Sequence, residues 1–348
     1  MKKYLLSIAA LLLGLLAHSQ EADDLGNYAE VSVIARLDLN PNFYKDATEF
    51  TLGNSSIYTH FTGSASEHFS WTLVNHWFNG YSFLGQDADP WEMFRGIGST
   101  AATNFIDMAY VDLMFGGWTF TLGKQCMATG GHEYDDWDWD VYYPNLNSSL
   151  WESLSCYQWG GKVAWTTPSE LSTFALQMTT SPFGERPFSS GLWTWSAQWT
   201  GEYGWFAPTW SVTALTRNGA TTGAPRACDW LVSLGNQFLL DQWTIELDWS
   251  NCAGFMKDHT MAGHSIHGKV NFAPSERWNV ALQGNFCKST LDEYFDVNPW
   301  WNAGAIAEFF PLKDSDALRL HACAAYDSCY GAFELLVGAR YNLTFKLW

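Results

Sequence analysis

The feature of this sequence that most limits its possible folds is an alternation of apolar and polar side chains along most of its 348 residues. Between residues 242 and 251, tryptophan, isoleucine and leucine occupy every second position, and mainly threonine, glutamate and aspartate lie between them. Successive side chains of a β-strand point to opposite faces, so this pattern predicts a strand with one apolar and one polar face. About sixteen such segments follow one another: 31–39, 57–63, 69–77, 105–115, 118–127, 157–167, 171–180, 192–200, 205–216, 229–239, 242–251, 264–272, 278–286, 301–310, 318–327 and 333–347.

The connections between these segments alternate between short and long. Short links such as 116–117 and 240–241 are followed by long ones such as 128–156 and 252–263, and only the last link, 328–331, breaks the pattern. An even number of strands with short turns at one end and long loops at the other predicts an all-β fold. That fold is a transmembrane antiparallel β-barrel with short periplasmic turns and long extracellular loops. A closed barrel leaves no unpaired strand edge, as a lipid environment requires.

The alternative is a large soluble β-sandwich or propeller, whose strands also alternate. The aromatic content, 17% of the chain with 21 tryptophans, favours the barrel, because membrane barrels place aromatic rings at both lipid–water interfaces. A last strand that ends on an aromatic residue is typical of outer-membrane barrels, and this chain ends on Trp348. The match is partial, because the alternation places Leu347 and not Trp348 on the apolar face. Eight tryptophans lie on apolar faces near predicted strand ends: Trp71, Trp77, Trp118, Trp165, Trp210, Trp243, Trp249 and Trp278.

The charge balance excludes one class of partner. The chain has 18 Lys and Arg against 36 Asp and Glu, a formal net charge of −18, so it repels phosphate backbones and is not expected to bind nucleic acid. Intrinsic disorder is excluded by the aromatic content together with only 16% charged residues.

The N-terminus has the pattern of a secretory signal peptide. Lys2 and Lys3 precede an apolar run over residues 5–16, and small residues at Ala17 and Ser19 supply a cleavage site. The apolar run is shorter than the roughly 20 residues that a membrane-spanning helix needs. We therefore expect residues 1–19 to be removed and residues 20–348 to form the barrel, in the outer membrane of a Gram-negative bacterium.

One hairpin of the chain resembles a known channel family. Its second strand ends in Leu122-Gly123-Lys124-Gln125, and the following loop contains Gly-Gly-His-Glu at residues 130–133. Over roughly residues 100–145 the chain resembles the phosphate-selective-porin-like family of outer-membrane channels, in particular its Bacteroidetes branch. The resemblance implies a sixteen-stranded, trimeric porin. Phosphate selectivity is not carried over, because it needs a path lined by arginine and lysine, of which this chain has few.

The same alternation assigns charged residues to the barrel interior. The basic ones are Arg36, Lys162, Arg217, Lys269, Arg319 and Arg340. The acidic ones are Glu30, Asp38, Glu246, Asp248 and Glu308. Lys124 is an even number of residues from Phe120 and Leu122, so the alternation puts it on the same face. It is therefore predicted on the lipid side unless a bulge intervenes.

The long link 128–156 is rich in carboxylates and aromatic rings. If it folds into the pore, its acidic side chains face a basic wall and form a constriction whose transverse field orients polar solutes. If it caps the barrel outside, the carboxylates are simply solvated. The acidic residues are Glu133, Asp135, Asp136, Asp138 and Asp140, and the rings that would stack on sugars are Trp137, Trp139, Tyr142 and Tyr143.

Several apparent motifs do not hold up. The spaced aspartates from Asp136 to Asp140 begin like an EF-hand loop, but Val141 and Asn147 replace the glycine and glutamate that the loop needs. His264 and His267 are three apart on a strand, so they face opposite sides and cannot share a metal. No catalytic, metal or cofactor site is therefore predicted, and the chain is not expected to be an enzyme.

Seven cysteines are odd in number and widely spaced. Cys126 and Cys156 flank the third long loop, and Cys323 and Cys329 flank the last loop, so either pair is positioned to bridge in an oxidising compartment. The alternative is that they are small barrel-facing residues.

These patterns favour a porin that forms a water-filled channel for passive diffusion of small hydrophilic solutes and ions. The expected partners are outer-membrane lipid, the solutes themselves and two further copies of the chain. The alternatives are a saccharide-specific channel with aromatic loop contacts, or a non-conducting barrel that serves as an enzyme or surface protein.

Overall fold

A computed structural model describes residues 27–79, 106–142, 146, 148, 150, 154–184, 188–218, 226–252, 263–290, 297–313 and 315–347. The predicted signal peptide, residues 1–19, lies outside them. Within these residues, no helix is long and apolar enough to cross a membrane.

The described residues form one antiparallel sheet of seventeen strands. They are β1 (Tyr28–Phe43), β2 (Thr48–Thr51), β3 (Ser56–Ser66), β4 (Phe69–Asn79), β5 (Ile106–Phe115), β6 (Trp118–Cys126), β7 (Tyr157–Thr166), β8 (Ser172–Thr180), β9 (Trp193–Gly201), β10 (Phe206–Arg217), β11 (Ala227–Leu240), β12 (Trp243–Ser250), β13 (Gly263–Ser275), β14 (Trp278–Ser289), β15 (Trp300–Phe309), β16 (Leu318–Asp327) and β17 (Ala332–Lys346).

The sheet closes on itself because β1 pairs with both β3 and β17. The short β2 pairs with β1 over Asn40–Phe43, beyond the stretch of β1 that pairs with β3. The wall is therefore a closed sixteen-stranded antiparallel barrel, as the alternation predicts. The sequence pattern has residues 40–56 as a long link between two barrel strands. In the structure β1 continues into this link as far as Phe43 and pairs there with the short β2.

The two faces of the wall have opposite chemistry. On β14, Val280, Leu282 and Phe286 are exposed on the outside, whereas Gln283 and Asn285 are buried inside. Most buried polar and charged side chains of the strands face inward in the same way, which is the reverse of a soluble protein. The two-residue alternation of the sequence therefore corresponds to an apolar exterior and a polar interior.

Aromatic rings gather on the outer face near the short-turn end of the barrel. Neighbouring strands pair there through Trp243 with Phe272, at 4.3 Å between ring centroids, and through Trp278 with Phe309, at 4.7 Å. Trp118 follows the same pattern and is 48% exposed. This end of the barrel thus carries part of the aromatic belt that the sequence predicts.

One prediction of side-chain direction was wrong. Lys124 is buried, and its Nζ donates a hydrogen bond to the Ile106 carbonyl instead of lying on the outer face. The cause is Gly123, whose φ of +136° interrupts the alternation after the exposed Leu122. From Gly123 onward the strand presents Lys124 to the interior, next to Asp107.

Gly123 should therefore tolerate no side chain. A Cβ at this position would lie 2.2 Å from the Ala109 carbonyl oxygen, in a backbone conformation that disfavours L-residues. We expect Gly123→Ala to cost about 1–3 kcal/mol of folding stability through this strain. The measurement is the midpoint of the heat-induced mobility shift in SDS gels. Gly268→Ala is the control, because its Cβ would meet its nearest atom only at 4.0 Å; equal midpoints for the two variants would contradict the assignment.

Candidate functional site: a loop inside the barrel

The link between β6 and β7 is described at residues 127–142, 146, 148, 150 and 154–156. These residues contact inward-facing side chains of the barrel wall, and they are called the interior loop below. Its first residues attach to the strands that form one side of the wall. Ser211 Oγ donates to the Gly130 carbonyl at 2.9 Å, and Thr213 Oγ1 donates to Thr129 Oγ1 at 2.8 Å. Both serine and threonine are buried. Both contacts are neutral hydrogen bonds.

A single 3-10 turn, His132–Asp135, then anchors the loop against β12. Asp248 accepts a hydrogen bond from the Glu133 backbone N–H at 2.8 Å. Glu133 is itself buried beside His267, with 3.5 Å between its Oε1 and the imidazole Nδ1. A Cβ on Gly131 would lie 2.5 Å from Asp248 Cγ, so glycine is what allows this close approach.

Three arginines meet on the opposite wall. Arg36 on β1 pairs in register with Arg340 on β17, and Arg340 pairs with Arg319 on β16. We call these three residues the arginine ladder. Like charges directly opposite each other on a sheet are destabilising, so the ladder needs neighbouring acids.

Three carboxylates supply the opposite charge. Asp38 lies 2.9 Å from Arg36 Nη2, and Glu308 lies 3.1 Å from Arg319 Nη1. The third, Asp140, belongs to the interior loop: its Oδ1 lies 2.8 Å from Arg319 Nη1 and also accepts a hydrogen bond from Arg340. The loop is therefore part of the charge balance of the wall.

The ladder also holds the loop backbone. Arg36 Nη1 donates to the carbonyls of Trp139, at 3.1 Å, and Val141, at 2.7 Å. The guanidinium carbons of Arg36 and Arg319 lie 5.1 and 5.7 Å from the centre of the Tyr142 ring, within the range of cation–π attraction. The Tyr142 hydroxyl donates to Glu308 at 2.6 Å. These contacts fix residues 139–142 against β1, β15, β16 and β17.

Further along, the loop contacts a third region of the wall. The Leu146 carbonyl accepts hydrogen bonds from Gln283 Nε2 and Asn285 Nδ2, each at 2.7 Å. The Leu146 side chain is fully buried in an apolar cluster with Ile306 and Leu336. A small apolar patch inside an otherwise polar barrel thus receives one loop side chain.

The aromatic residues of the loop do not form the predicted sugar platform. Trp137 and Trp139 stack at 4.6 Å, but Trp139 is buried against Tyr58, and Tyr142 is buried under the arginine ladder. Among the described rings of this set, Trp137 is the exposed one: 38% of its surface is accessible. Tyr143 lies outside the described residues.

Asp138 occupies an enclosed position between the loop and the wall. Its carboxylate accepts a hydrogen bond from the Tyr157 hydroxyl at 3.1 Å, and its backbone carbonyl accepts one from Asn54 Nδ2 at 2.6 Å. Burial, with a smaller contribution from the neighbouring Asp107 charge, raises the pKa of Asp138 to about 7. This loop carboxyl is therefore placed to titrate near neutral pH.

The loop does not fill the barrel completely. A cavity of about 210 Å³ remains between it and strands β12 to β16. Both signs of charge line this space. The acidic residues are Asp136, Asp140, Glu246 and Glu308, and the basic ones are Lys269 and Arg319. Such a lining suits small polar or charged solutes better than apolar ones.

Asp138 is described above, and Glu30 lies 3.9 Å from Lys346 near the end of β17. The other predicted charged residues fall into three groups. Those at the loop–wall contacts are Arg36, Asp38, Glu133, Asp140, Asp248, Glu308, Arg319 and Arg340. Lys269 links Asp136, at 3.4 Å, with Glu246, at 3.9 Å. Lys162 and Asp135 stand apart from these ion pairs, and Arg217 pairs with Asp229 at the far end of β10.

The sequence interpretation has an acidic loop that faces a basic wall. In the structure Asp140 and Asp136 contact Arg319, Arg340 and Lys269 directly. The reason is that buried charges are unfavourable unless paired. The remaining open space is lined by these pairs.

Two histidines of the site were missed. His321 is buried with its Nε2 2.8 Å from Asp38 Oδ1, and His267 lies 2.9 Å from Asn285 Oδ1 through its Nδ1. The alternation could have identified both, because residues two apart on a strand share a face. His321 is two residues from Arg319, and His267 is two residues from Lys269. His264, by contrast, is exposed, as the opposite-face argument predicts.

Comparison with known proteins identifies the architecture. No protein family and no curated protein matches the sequence. Among solved structures, the outer membrane channel DcaP of Acinetobacter baumannii is similar with a TM-score of 0.61 and 11% identity, over 91% of this chain and 98% of that one.

Two further structures agree with it. A triple mutant of the Rhodopseudomonas blastica porin has a TM-score of 0.55 and 12% identity, over 90% of this chain and 100% of that one. A loop deletion mutant of OmpT, an outer membrane protein of Vibrio cholerae, has a TM-score of 0.55 and 10% identity, over 91% and 100%. At these identities the similarity shows the fold alone: the chain has the closed sixteen-stranded antiparallel barrel seen in outer-membrane porins.

Proposed function

We propose that the chain is an outer-membrane porin that forms a water-filled channel for passive diffusion of small hydrophilic solutes and ions. The observation that carries this proposal is the inverted barrel. Leu282 is 62% exposed on the outer face, whereas Asp38 is fully buried on the inner face, and this arrangement suits a lipid exterior and a polar lumen. The interior loop narrows that lumen.

The rest of the topology follows from the same proposal. Residues 1–19 direct export and are removed, the short turns face the periplasm, and the long loops face outward. The resemblance of residues 100–145 to the phosphate-selective-porin-like family stays a prediction, as does the homotrimer that it implies. No cofactor and no catalytic step take part in this function.

The solute preference is expected to be weakly cationic and not phosphate-selective. All three ladder arginines already contact carboxylates, so they offer little free positive charge to a phosphate. The cavity beside the loop is lined by four acidic and two basic residues. Excess negative charge attracts cations at the narrow part of the channel.

Planar-bilayer recording of the purified protein tests this proposal. Stable ohmic current steps are expected, with a reversal potential in a KCl gradient that shows weak preference for K⁺ over Cl⁻. Complete absence of conductance would overturn the channel function and leave a barrel enzyme or surface protein. A strong anion preference would overturn the selectivity argument alone.

A saccharide-specific channel is the second candidate. One observation favours it: Trp137 exposes a ring face and stacks on Trp139, with His60 at 5.6 Å from Trp137. Aromatic faces of this kind bind the apolar face of sugar rings. Block of the current by millimolar oligosaccharide, lost in Trp137→Ala, would select this candidate over general diffusion.

A further inference from the structure

The outer face of the barrel carries a lysine near its long-loop end. Lys288 is the penultimate residue of β14 and is exposed, on the same face as the exposed Leu282 and Phe286. It pairs in register with His264 of β13, which is also exposed and whose ring stacks on that of Trp249 at 5.8 Å. Lys288 and His264 therefore project outward side by side.

The height of this pair on the barrel follows from strand geometry. Lys288 lies ten residues along β14 from Trp278, which belongs to the aromatic belt at the short-turn end. Ten residues at about 3.3 Å each give about 33 Å along the strand, and a strand tilt of about 40° reduces this to about 25 Å along the barrel axis. The apolar band of a membrane barrel is about 25 Å tall. Lys288 and its register partner His264 therefore lie at the level of the second lipid–water interface.

Aromatic rings mark the same interface just below the pair. Phe286 pairs in register with Trp301 of β15, and the Trp301 ring lies 5.4 Å from the ring of Tyr326 on β16. All three side chains are exposed on the outer face. Because aromatic belts lie at the lipid–water interfaces, a charged side chain one step beyond these rings lies among the lipid headgroups.

Small side chains form a shallow groove in the outer face below these rings. The outward-facing residues of β15 and β16 in this stretch are all alanine: Ala303, Ala305, Ala307, Ala322 and Ala324. On one side the groove is bounded by Leu282 of β14, which pairs with Ala305 and is 62% exposed. We call this surface the alanine groove. It runs along the strands and is wide enough for an extended acyl chain, with Lys288 above it on the headgroup side.

We propose that Lys288 and His264 bind the phosphate group of an anionic lipid in the outer leaflet, whose acyl chain lies in the alanine groove. The inference rests on the proposed outer-membrane location. Lys288 brings three N–H donors and His264 a ring N–H, and Lys288 forms no ion pair within the described part of the chain. The formal net charge of −18 repels anionic headgroups in general. An anionic lipid is therefore attracted where a cation stands at headgroup level.

Counting the lipid bound to the purified full-length protein tests the proposal. Phosphatidic acid is titrated into the protein in a neutral detergent, and the bound molecules are counted by native mass spectrometry. Since one lysine near a membrane surface changes the affinity for anionic lipid about fivefold, Lys288→Gln should bind phosphatidic acid about fivefold more weakly, whereas Lys288→Arg should keep the affinity. An unchanged affinity in Lys288→Gln would overturn the site.

Three controls separate this site from general attraction. Lys313→Gln removes the same charge from an exposed position at the short-turn end, so it should keep the affinity; an equal loss in both variants would overturn a specific site. Ala305→Phe fills the alanine groove and should weaken lipid binding, and unchanged binding would overturn the role of the groove. Inorganic phosphate at equal concentration should not displace the lipid, and displacement would overturn the assignment to a lipid.

The conductance distinguishes this inference from the proposed function. Lys288 lies outside the lumen, so Lys288→Gln should conduct like the wild type in planar bilayers. A conducting protein that binds no phosphatidic acid would overturn the lipid site alone, whereas a non-conducting protein that binds it through Lys288 would overturn the channel function alone. Loss of an oligomer in Lys288→Gln with lipid binding intact would show that the lysine contacts a second copy of the chain instead.

Discussion

Asp140→Asn is expected to release the middle of the interior loop and to move the channel toward anions. Asp140 is the loop carboxylate that contacts both Arg319 and Arg340. Hydrogen bonds to charged groups contribute about 1.5–3 kcal/mol each. Because Asp140 is 30% exposed, we expect a loss of only about 2 kcal/mol of docking free energy, a factor of roughly 30 in the docked-to-undocked ratio.

The readouts are current noise and reversal potential in planar bilayers. Asp140→Asn should show frequent transient current steps from loop motion, and its reversal potential in a KCl gradient should shift toward Cl⁻, because the ladder loses one of its compensating charges. Without Asp140, Asp38 and Glu308 are left to balance the three arginines.

A loop variant of equal charge change provides the control. Asp135 is exposed and forms no ion pair within the described part of the chain, so Asp135→Asn removes the same charge without releasing a contact. It should shift the reversal potential in the same direction but leave the current quiet. Equal current noise in both variants would show that Asp140 does not hold the interior loop against the arginine ladder.

The arginine ladder also shows how far the sequence could lead. Alternation placed Arg36, Arg319 and Arg340 on the inner face, because the side-chain period of a strand is two. It could not place them side by side, because register between strands depends on turn geometry and on the stagger of the closed barrel. The acids were identified, but not which of them contacts which arginine.

The interior loop lay further beyond prediction. Its described residues include a short 3-10 turn, His132–Asp135, and no strand. The two-residue alternation therefore does not relate sequence position to side-chain direction there, and the route of the loop follows from contacts distant in sequence. The Leu146 carbonyl, for example, accepts hydrogen bonds from the side-chain amides of Gln283 and Asn285, more than a hundred residues away in the sequence. Gly123 shows the same limit within a strand, since one positive φ reversed the predicted direction of Lys124.

Asp138 should make the docking of the loop depend on pH near neutrality. Burial and the Asp107 charge raise its pKa from 3.8 to about 7, so the docked loop binds a proton that an undocked loop releases. Between about 4 and 7 the docked state holds more protons, so docking weakens as the pH rises and levels off above about 7. We expect a quiet channel at pH 5 and increasing current noise up to about pH 8.

Two variants assign this dependence to Asp138. Asp138→Asn keeps an acceptor for the Tyr157 hydroxyl and carries no charge, so its current should stay quiet from pH 5 to pH 8. Tyr157→Phe removes a hydrogen bond that lowers the pKa of Asp138, so docking should continue to weaken to a higher pH than in the wild type, and the noise should still increase above pH 8.

The nearby groups provide the competing explanation. Asp107 on β5 and His76 on β4 face the same enclosed space, and they contact each other at 2.8 Å. If Asp138→Asn keeps the wild-type pH dependence, the proton is bound at another group and Asp138 plays no part. If the noise disappears in Asp138→Asn but persists in Asp107→Asn, the loop carboxyl itself is the proton acceptor. Because protonation of a buried carboxyl removes the cost of its desolvated charge, the second outcome is the one we expect.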